Sequence, residues 1–244
     1  MEYKSLVDLH THTVASGHAY STLQEMVAAA REKGLKILGI TEHGPRMYGS
    51  CTEIYFQNLA IIPRQYGDLK LMMGSEMNIM DERGSVDLTD GLISLLDIRI
   101  AGIHSRCFNY GSEDVATKAI CKTMERGDID IISHPVDRRY QPDVKSLVEA
   151  SKSTGTLLEL NNSSLRPERG KPYARDNFKS LIEECAKENV QIIIGSDAHI
   201  SYDVAGHSYA YGLIEEVGFP KELILNLRPN DFLSFIDNRR RNQQ

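Results

Sequence analysis

The chain has 244 residues, long enough for one mid-sized α/β barrel or one to two smaller domains, and its 41% hydrophobic and 25% charged residues are ordinary globular usage. Gly 18 and Pro 8 are too few for collagen-like or linker-dominated architectures, and this composition disfavours disorder. Lys+Arg 28 against Asp+Glu 34 leaves a formal charge of −6, which argues against a non-specific DNA binder and against broad attraction to anionic lipid.

Short apolar runs alternate with amphipathic stretches, the pattern of repeated β-α units around a parallel sheet. Residues 6–10 read as the first strand, 22–34 as a helix and 37–43 as the second strand. A helix is expected within 48–66, followed by a strand at 71–76. Residues 77–96 fit either a short strand pair or a long loop. Strands at 98–104, 129–134, 157–161 and 191–197 then alternate with helices at 112–127, 143–155 and 175–189. These helices close on Gly or Asn, as helix stops do. The strand runs are rich in Ile, Leu and Val, as strands covered on both faces should be. A helix near 211–217 follows, and a last one is opened by Pro229, Asn230 and Asp231. It ends in Arg239, Arg240 and Arg241, read as a solvated tail. No composition shift or linker divides the chain, so one domain over residues 1–244 is expected.

Nothing approaches the ~18 consecutive apolar residues of a membrane span, and the N-terminus lacks a basic region followed by an apolar run. The four cysteines (Cys51, Cys107, Cys121, Cys185) form no C-x-x-C pair, so free thiols in a cytoplasmic protein are expected.

The unusual feature is where the histidines sit. Metal-ligand residue types stand at the ends of six of the seven strand runs: His10 and His12, His43, Glu76, His104, His134, then Asp197 and His199. The run 157–161 departs, ending in Asn161 and Asn162. In parallel α/β folds the C-terminal edge of the sheet is where loops converge and sites are built. His10 and His12, like Asp197 and His199, are two apart, so in an extended backbone they face one way and can reach one ion. One such pair is a weak signal, but two at opposite ends of a barrel are a strong one.

Glu76 at the end of an apolar run would suffer a large desolvation cost unless paired. A salt bridge or helix cap would serve; among so many histidines, bridging two cations explains it better. His104 and His134, taken singly, read as satisfied core histidines, and His18 as a loop residue able to share an ion with His43 and His199. His207 falls outside the pattern and reads as loop or substrate rim. Seven imidazoles and two carboxylates exceed the coordination of one ion. They suit two or three divalent transition-metal ions, zinc first, with manganese or iron as alternatives.

Arginines follow several of these positions: Arg46, Arg106, Arg138, Arg139 and Arg166. Their fork geometry suits phosphate, and Arg106 and Arg166 are taken as substrate contacts, against a reading as solvated loop charges. Asn161 and Asn162 are expected to donate hydrogen bonds or shape the loop. Glu42 either orients a ligand or caps a turn.

With these residues in hand, the chain resembles the PHP (polymerase and histidinol phosphatase) family. Asp8-Leu9-His10-Thr11-His12-Thr13, Ile40-Thr41-Glu42-His43, Ile132-Ser133-His134-Pro135 and Gly195-Ser196-Asp197-Ala198-His199 are similar to its four motifs. The segment Glu159-Leu160-Asn161-Asn162-Ser163-Ser164 and the compact length resemble the stand-alone bacterial phosphatases of the YcdX-like group. The resemblance implies a distorted seven-stranded (β/α) TIM-like barrel, with its site at the C-terminal ends of the strands. It further implies phosphate monoester hydrolysis by a hydroxide held at a trinuclear centre. His10, His12, Glu76 and Asp197 would hold one ion, Glu76, His104 and His134 a second, and His18, His43 and His199 the third.

Glu76 and Asp197 would be the catalytic carboxylates, Asp197 able to supply the leaving-group proton. The expected partner is a small phosphorylated substrate, with no membrane, extended nucleic acid disfavoured, and a homo-oligomer left open. Histidinol phosphatase and a PHP-type 3′-5′ exonuclease share the same centre and are the nearest alternatives. An amidohydrolase-like C–N hydrolase is more distant, since the run 98–104 has no bridging lysine. A non-catalytic metal-binding protein is opposed by the complete ligand set.

Overall fold

A computed structural model describes residues 3–109, 111–137 and 141–241. Its strands are β1 (Val7–Asp8), β2 (Ile37–His43), β3 (Gln65–Tyr66), β4 (Leu69–Asn78), β5 (Ile98–Gly102), β6 (Ile131–Ile132), β7 (Leu157–Asn161) and β8 (Ile192–Gly195). Seven of them pair in parallel in the order β1-β2-β4-β5-β6-β7-β8, while β3 runs antiparallel on β4. The helices are α1 (Leu23–Glu32), α2 (Glu53–Gln57), α3 (Asp90–Ile93), α4 (Glu113–Glu125), α5 (Val144–Thr154), α6 (Ala174–Lys187), α7 (Ser208–Val217) and α8 (Pro229–Arg241). Alternation along the strands sorts two cores. Leu38 and Ile40 of β2 and Leu71 and Met73 of β4 pack outward among residues of the helices. Ile37, Met72, Ile98, Ile100, Ile131, Leu157 and Ile193 fill the barrel interior.

The sheet is nearly closed, and its seam between β8 and β1 is sealed by side chain as well as backbone. Thr11 pairs with Ala198 at the upper end, where the His12 amide donates to the Ala198 carbonyl at 2.8 Å. Lower down, the Asn226 amide stands where a strand would be. Its Nδ2 donates to Val7 O (2.8 Å) and Ile194 O (2.7 Å), and its Oδ1 accepts from Ile194 N (2.7 Å). Unpaired edge groups are thereby satisfied across a gap that would otherwise bury them.

Helix α8 plugs the N-terminal end of the barrel with Phe232 and Ile236. Its basic end corrects the reading of a solvated tail. Arg240 makes a two-pronged contact with Asp130 (2.8 and 2.6 Å), and Arg239 donates to the carbonyls of Ile129 (2.5 Å) and Thr154 (2.8 Å). Asp130 is fully buried and also accepts from Arg99 N at 3.0 Å, so these arginines lock the plug to the barrel floor.

The local signals for helices hold up in detail. Thr22 opens α1 with a reciprocal capping box to Glu25, Asp143 caps α5, and Gly155 ends α5 in a left-handed conformation. Of residues 48–66 only Glu53–Gln57 is α-helical, followed by a 3-10 turn at Leu59–Ile61 and by β3. Residues 77–96 resolve into the end of β4, an antiparallel bridge between Ile79 and Val86, and α3. The strands β1, β6 and β8 are shorter than expected. After β6 and β8 the backbone turns early, with His134 (φ 30) and Asp197 (φ 54) left-handed.

Candidate metal centre

All nine donor residues gather at the C-terminal mouth of the barrel. Parallel register carries the central ones there: His43 of β2 is paired with Glu76 of β4, and Glu76 with Ile100 of β5. Glu76 is fully buried, and its two oxygens face different histidines. Oε2 lies 2.8 Å from His43 Nδ1, 3.2 Å from His10 Nε2 and 3.5 Å from His12 Nε2. Oε1 lies 2.8 Å from His134 Nε2 and 3.3 Å from His104 Nε2, and accepts from Ser133 Oγ at 2.7 Å. Asp197 Oδ1 is 3.5 Å from His12 Nε2, 3.7 Å from His10 Nε2 and 3.5 Å from His199 Nδ1. The Nε2 atoms of His18 and His199 meet at 3.0 Å.

The i, i+2 spacing of Asp197 and His199 brings them together through the left-handed turn at Asp197 rather than along an extended strand. Room for the cluster depends on two glycines on inward-facing strand positions. A Cβ on Gly102 would sit 3.3 Å from Glu76 Oε1 and 3.2 Å from His134 Cε1. One on Gly195 would sit 2.9 Å from the Glu159 carboxyl carbon and 3.0 Å from His10 Cβ.

The outer ring nitrogens are anchored, and the anchors aim the opposite nitrogens at the centre. His10 Nδ1 is held by Glu159 Oε1 (2.7 Å), His12 Nδ1 by Ser16 Oγ (3.1 Å) and His104 Nδ1 by Asn78 Oδ1 (2.8 Å). His18 Nδ1 contacts Ser16 O, and His199 Nδ1 contacts Asp197 O, each at 3.0 Å. Asn78 is itself oriented by Asp87, which accepts from its Nδ2 at 2.6 Å and its backbone N at 2.7 Å. The amide of Asn78 therefore presents its oxygen to His104, which fixes the proton on Nδ1 and leaves Nε2 as a lone pair. Glu42 accepts from Ser16 Oγ (2.5 Å) and from Thr13 N (3.1 Å), so it acts through Ser16, whose hydroxyl oxygen meets both His12 Nδ1 and His43 N at 3.1 Å.

Burial and charge oppose one another throughout the cluster. Burial would raise the Glu76 and Asp197 carboxyls, but the surrounding histidines outweigh it and hold both well below the usual carboxylate range. Burial lowers His12 far below the ordinary histidine value, reinforced by His43 and His199, and lowers His104 to about 4. For His10 burial is outweighed by Glu159, Glu76 and Asp197, which hold the ring well above its ordinary value.

The donor set fits divalent metal. His10 Nε2, His12 Nε2, His43 Nδ1 and Glu76 Oε2 are buried and lack a hydrogen-bond partner of proper geometry, yet they converge on one region. Among the described residues three groups have donor atoms within 4.8 Å of one another: His10, His12 and Glu76; His43, Glu76 and His104; and His12, His43 and His199. The first falls within the first expected ion site. The other two put His43 and His12 at positions shared between neighbouring groups.

The cluster forms the base of a cavity of about 940 Å³ whose rim includes Tyr20, Tyr48, Arg106, Arg169 and Lys171. Arg166 does not line it: its guanidinium is paired with Glu168 (2.7 Å) and Asp203 (2.9 Å). This corrects its reading as a substrate contact. Asn162 is buried and accepts from Ala210 N at 3.0 Å, so it shapes the loop. Asn161 Nδ2 donates to Glu159 (3.0 Å) and reaches Asp197 Oδ2 at 3.4 Å, a role beneath the cavity rather than on its wall. His207 lies in the loop that leads into α7, as expected, but it is buried rather than on the rim: it is 2% exposed, 3.5 Å from Asp8 and 2.5 Å from Ser5 Oγ. Arg138 and Arg139 lie outside the described residues.

Comparison with known proteins agrees with this architecture. Residues 8–236 match the PHP domain. The chain belongs to the PHP domain family. A relative from Caldicellulosiruptor saccharolyticus, named "Probable phosphatase", is 40% identical over 230 residues, covering 94% of this chain and 95% of its own. Another of that name from Caldanaerobacter subterraneus subsp. tengcongensis is 39% identical over 244 residues, covering 99% and 94%. Among solved structures, the histidinol phosphate phosphatase of Lactococcus lactis subsp. lactis, complexed with zinc, L-histidinol and phosphate, shares the fold. It has a TM-score of 0.61 at 19% identity, over 89% of this chain and 95% of that one. No helix among the described residues is long and apolar enough to cross a membrane.

Glu159, Asn78, Ser16 and Ser133 are the site residues that sequence reading passed over. Glu159 carries the same signal as Glu76, a lone carboxylate in an apolar strand.

Proposed function

We infer that this PHP domain is a metal-dependent phosphatase that hydrolyses phosphate monoesters at a trinuclear centre, acting as a single domain over residues 1–244. The observation that carries the reading is Glu76, whose two oxygens face separate sets of imidazole nitrogens amid buried donors with no other partner. One ion would be held by His10, His12, Glu76 and Asp197, a second by Glu76, His104 and His134, and a third by His18, His43 and His199. An imidazole-rich set with two carboxylates suits zinc first, with manganese or iron as alternatives. When bound, such ions lower the pKa of water toward neutrality and neutralise charge on the phosphoryl group.

The chain's own residues do the rest. Glu76 keeps the histidine sets in one rigid arrangement, and Asn78, Ser16 and Glu159 fix which nitrogen of each ring faces inward. Asp197 lines the cavity, its Oδ1 3.5 Å from His12 Nε2 and 3.7 Å from His10 Nε2. From there it is placed to accept the proton of the attacking water. The oxygen of that water joins phosphorus, the ester P–O bond breaks, and the leaving oxygen takes a proton from solvent in the open cavity. The four free cysteines fit a reducing cytoplasmic setting.

Elemental analysis should find two to three transition-metal ions per chain, and hydrolysis of p-nitrophenyl phosphate should stop with chelator and return with metal. His10→Ala and Asp197→Asn should each lower turnover by ~100-fold or more. One ion or none would reject the trinuclear centre, and near-normal turnover would remove those residues from the mechanism.

A further inference from the structure

The cavity is much larger than a phosphoryl group, and its rim is chemically one-sided. The loops after β1 and β2 contribute Tyr20 and Tyr48, 78% and 89% exposed. The loops after β5 and β7 contribute cations: Arg106, Arg169 and Lys171. Strands β2 and β7 are three places apart one way round the seven-stranded ring and four the other, as far as the topology allows, so the aromatic and cationic walls stand on different sides of the mouth.

The cationic wall is built rather than incidental. Lys171 Nζ donates to Asp137 Oδ2 and, at 3.2 Å, to Ser164 Oγ, while Ser164 Oγ donates to the same carboxylate oxygen at 2.9 Å. The Asp137 side chain is fully buried, whereas a third of Lys171 remains exposed toward the cavity. The ammonium is thus held in place with donor capacity to spare. Arg106 and Arg169 have no side-chain partner among the described residues, whereas Arg166, close in sequence, is engaged by two carboxylates. The charge of the transferring phosphoryl group is met at the base of the cavity by the centre described above. The rim cations are left for a second anion.

We propose that the substrate is a phosphate monoester whose alcohol carries a second anionic group, a carboxylate or another phosphate, seated on Arg169, Lys171 and Arg106. The proposal rests on the phosphatase reading and names its substrate class. The same wall opposes an alcohol bearing an ammonium group.

The test is a charge series at constant length: 3-phosphopropionate, 3-hydroxypropyl phosphate and 3-aminopropyl phosphate, their six-carbon counterparts, and propane-1,3-diol bisphosphate. Metal-reconstituted enzyme should prefer an anionic member over the matched neutral one by about tenfold or more in kcat/KM, with the amine poorest. The carboxylate and bisphosphate arms tell the two kinds of anion apart. Arg169→Gln and Lys171→Met should collapse the anionic-to-neutral ratio to within about threefold; Arg169, being exposed, leaves a folded variant even where the Lys171 change does not. Calorimetry with 3-phosphonopropionate against propylphosphonate reads the same preference without turnover. Equal rates and affinities across the series, preference for the amine, or a ratio that survives Arg169→Gln would overturn the proposal. Absence of hydrolysis of every phosphate, p-nitrophenyl phosphate included, would instead refute the phosphatase reading.

Discussion

Glu159→Gln changes one atom in the core of the site and should change which nitrogen of His10 is free. The carboxylate receives three buried donors: His10 Nδ1 on Oε1 at 2.7 Å, and His134 N (2.8 Å) and Asn161 Nδ2 (3.0 Å) on Oε2. Glutamine supplies a single acceptor oxygen. Two donors share the Oε2 position, so the amide oxygen belongs there and its NH₂ group turns toward His10 Nδ1. His10 must then carry its proton on Nε2, which lies 3.2 Å from Glu76 Oε2 and is the atom required as a metal donor. Volume is conserved, so the cost is polar: a lost charge-assisted bond with opposed donors should destabilise the metal-free protein by about 2–4 kcal/mol. Metal affinity should fall by ~10–100-fold, the usual effect of losing a partner that orients a ligand.

Urea unfolding of the metal-free protein reads the first quantity, and competition with a chromophoric chelator the second. Nitrogen-15 shifts of the His10 ring in the metal-free variant, recorded above its titration where the ring is neutral, read the tautomer directly. Unchanged zinc affinity with the proton still on Nδ1 would refute the claim that Glu159 selects the ligating nitrogen.

Gly102→Ala should cost about 1–3 kcal/mol and lower metal content, because its Cβ crowds Ser133, Glu76 and His134 at once; thermal unfolding with elemental analysis checks both. Asp130→Ala should separate stability from function. Leaving Arg239 and Arg240 without their buried carboxylate should cost about 3–5 kcal/mol, while metal content per folded chain stays at the wild-type value. His207→Ala should likewise retain every ion and lower stability by about 1–3 kcal/mol, since Asp8 and Ser5 lose a buried partner; loss of an ion would mean that the donor set is misassigned.

The donors themselves were readable because strand ends in a parallel barrel are predictable from hydrophobic pattern, and because histidine at one strand end after another has no bland explanation. Residues 37–43 and 157–161 coincide with β2 and β7, and Thr22, Asp143 and Gly155 mark helix ends where their side-chain and backbone chemistry requires. Pattern failed where one residue had two equally good environments. Arg166 and Arg169 are three apart in the same loop, and which of them faces the cavity is decided by the carboxylates of Glu168 and Asp203, not by local preference. Arg239 and Arg240 read as solvated because their buried partner, Asp130, is remote in the chain.

The sequence by itself determined the alternation of strand and helix, the chemical types of the donors, and their placement at strand ends. Those properties follow from periodicity and from local hydrogen bonding. Only the tertiary structure decided that Glu76 turns one oxygen to each histidine set, that Glu159 and Asn78 select the ring nitrogens, that Asn226 seals the seam, and that the cations gather on one wall. Each of these depends on distances between residues remote in the chain, set by strand register and barrel closure.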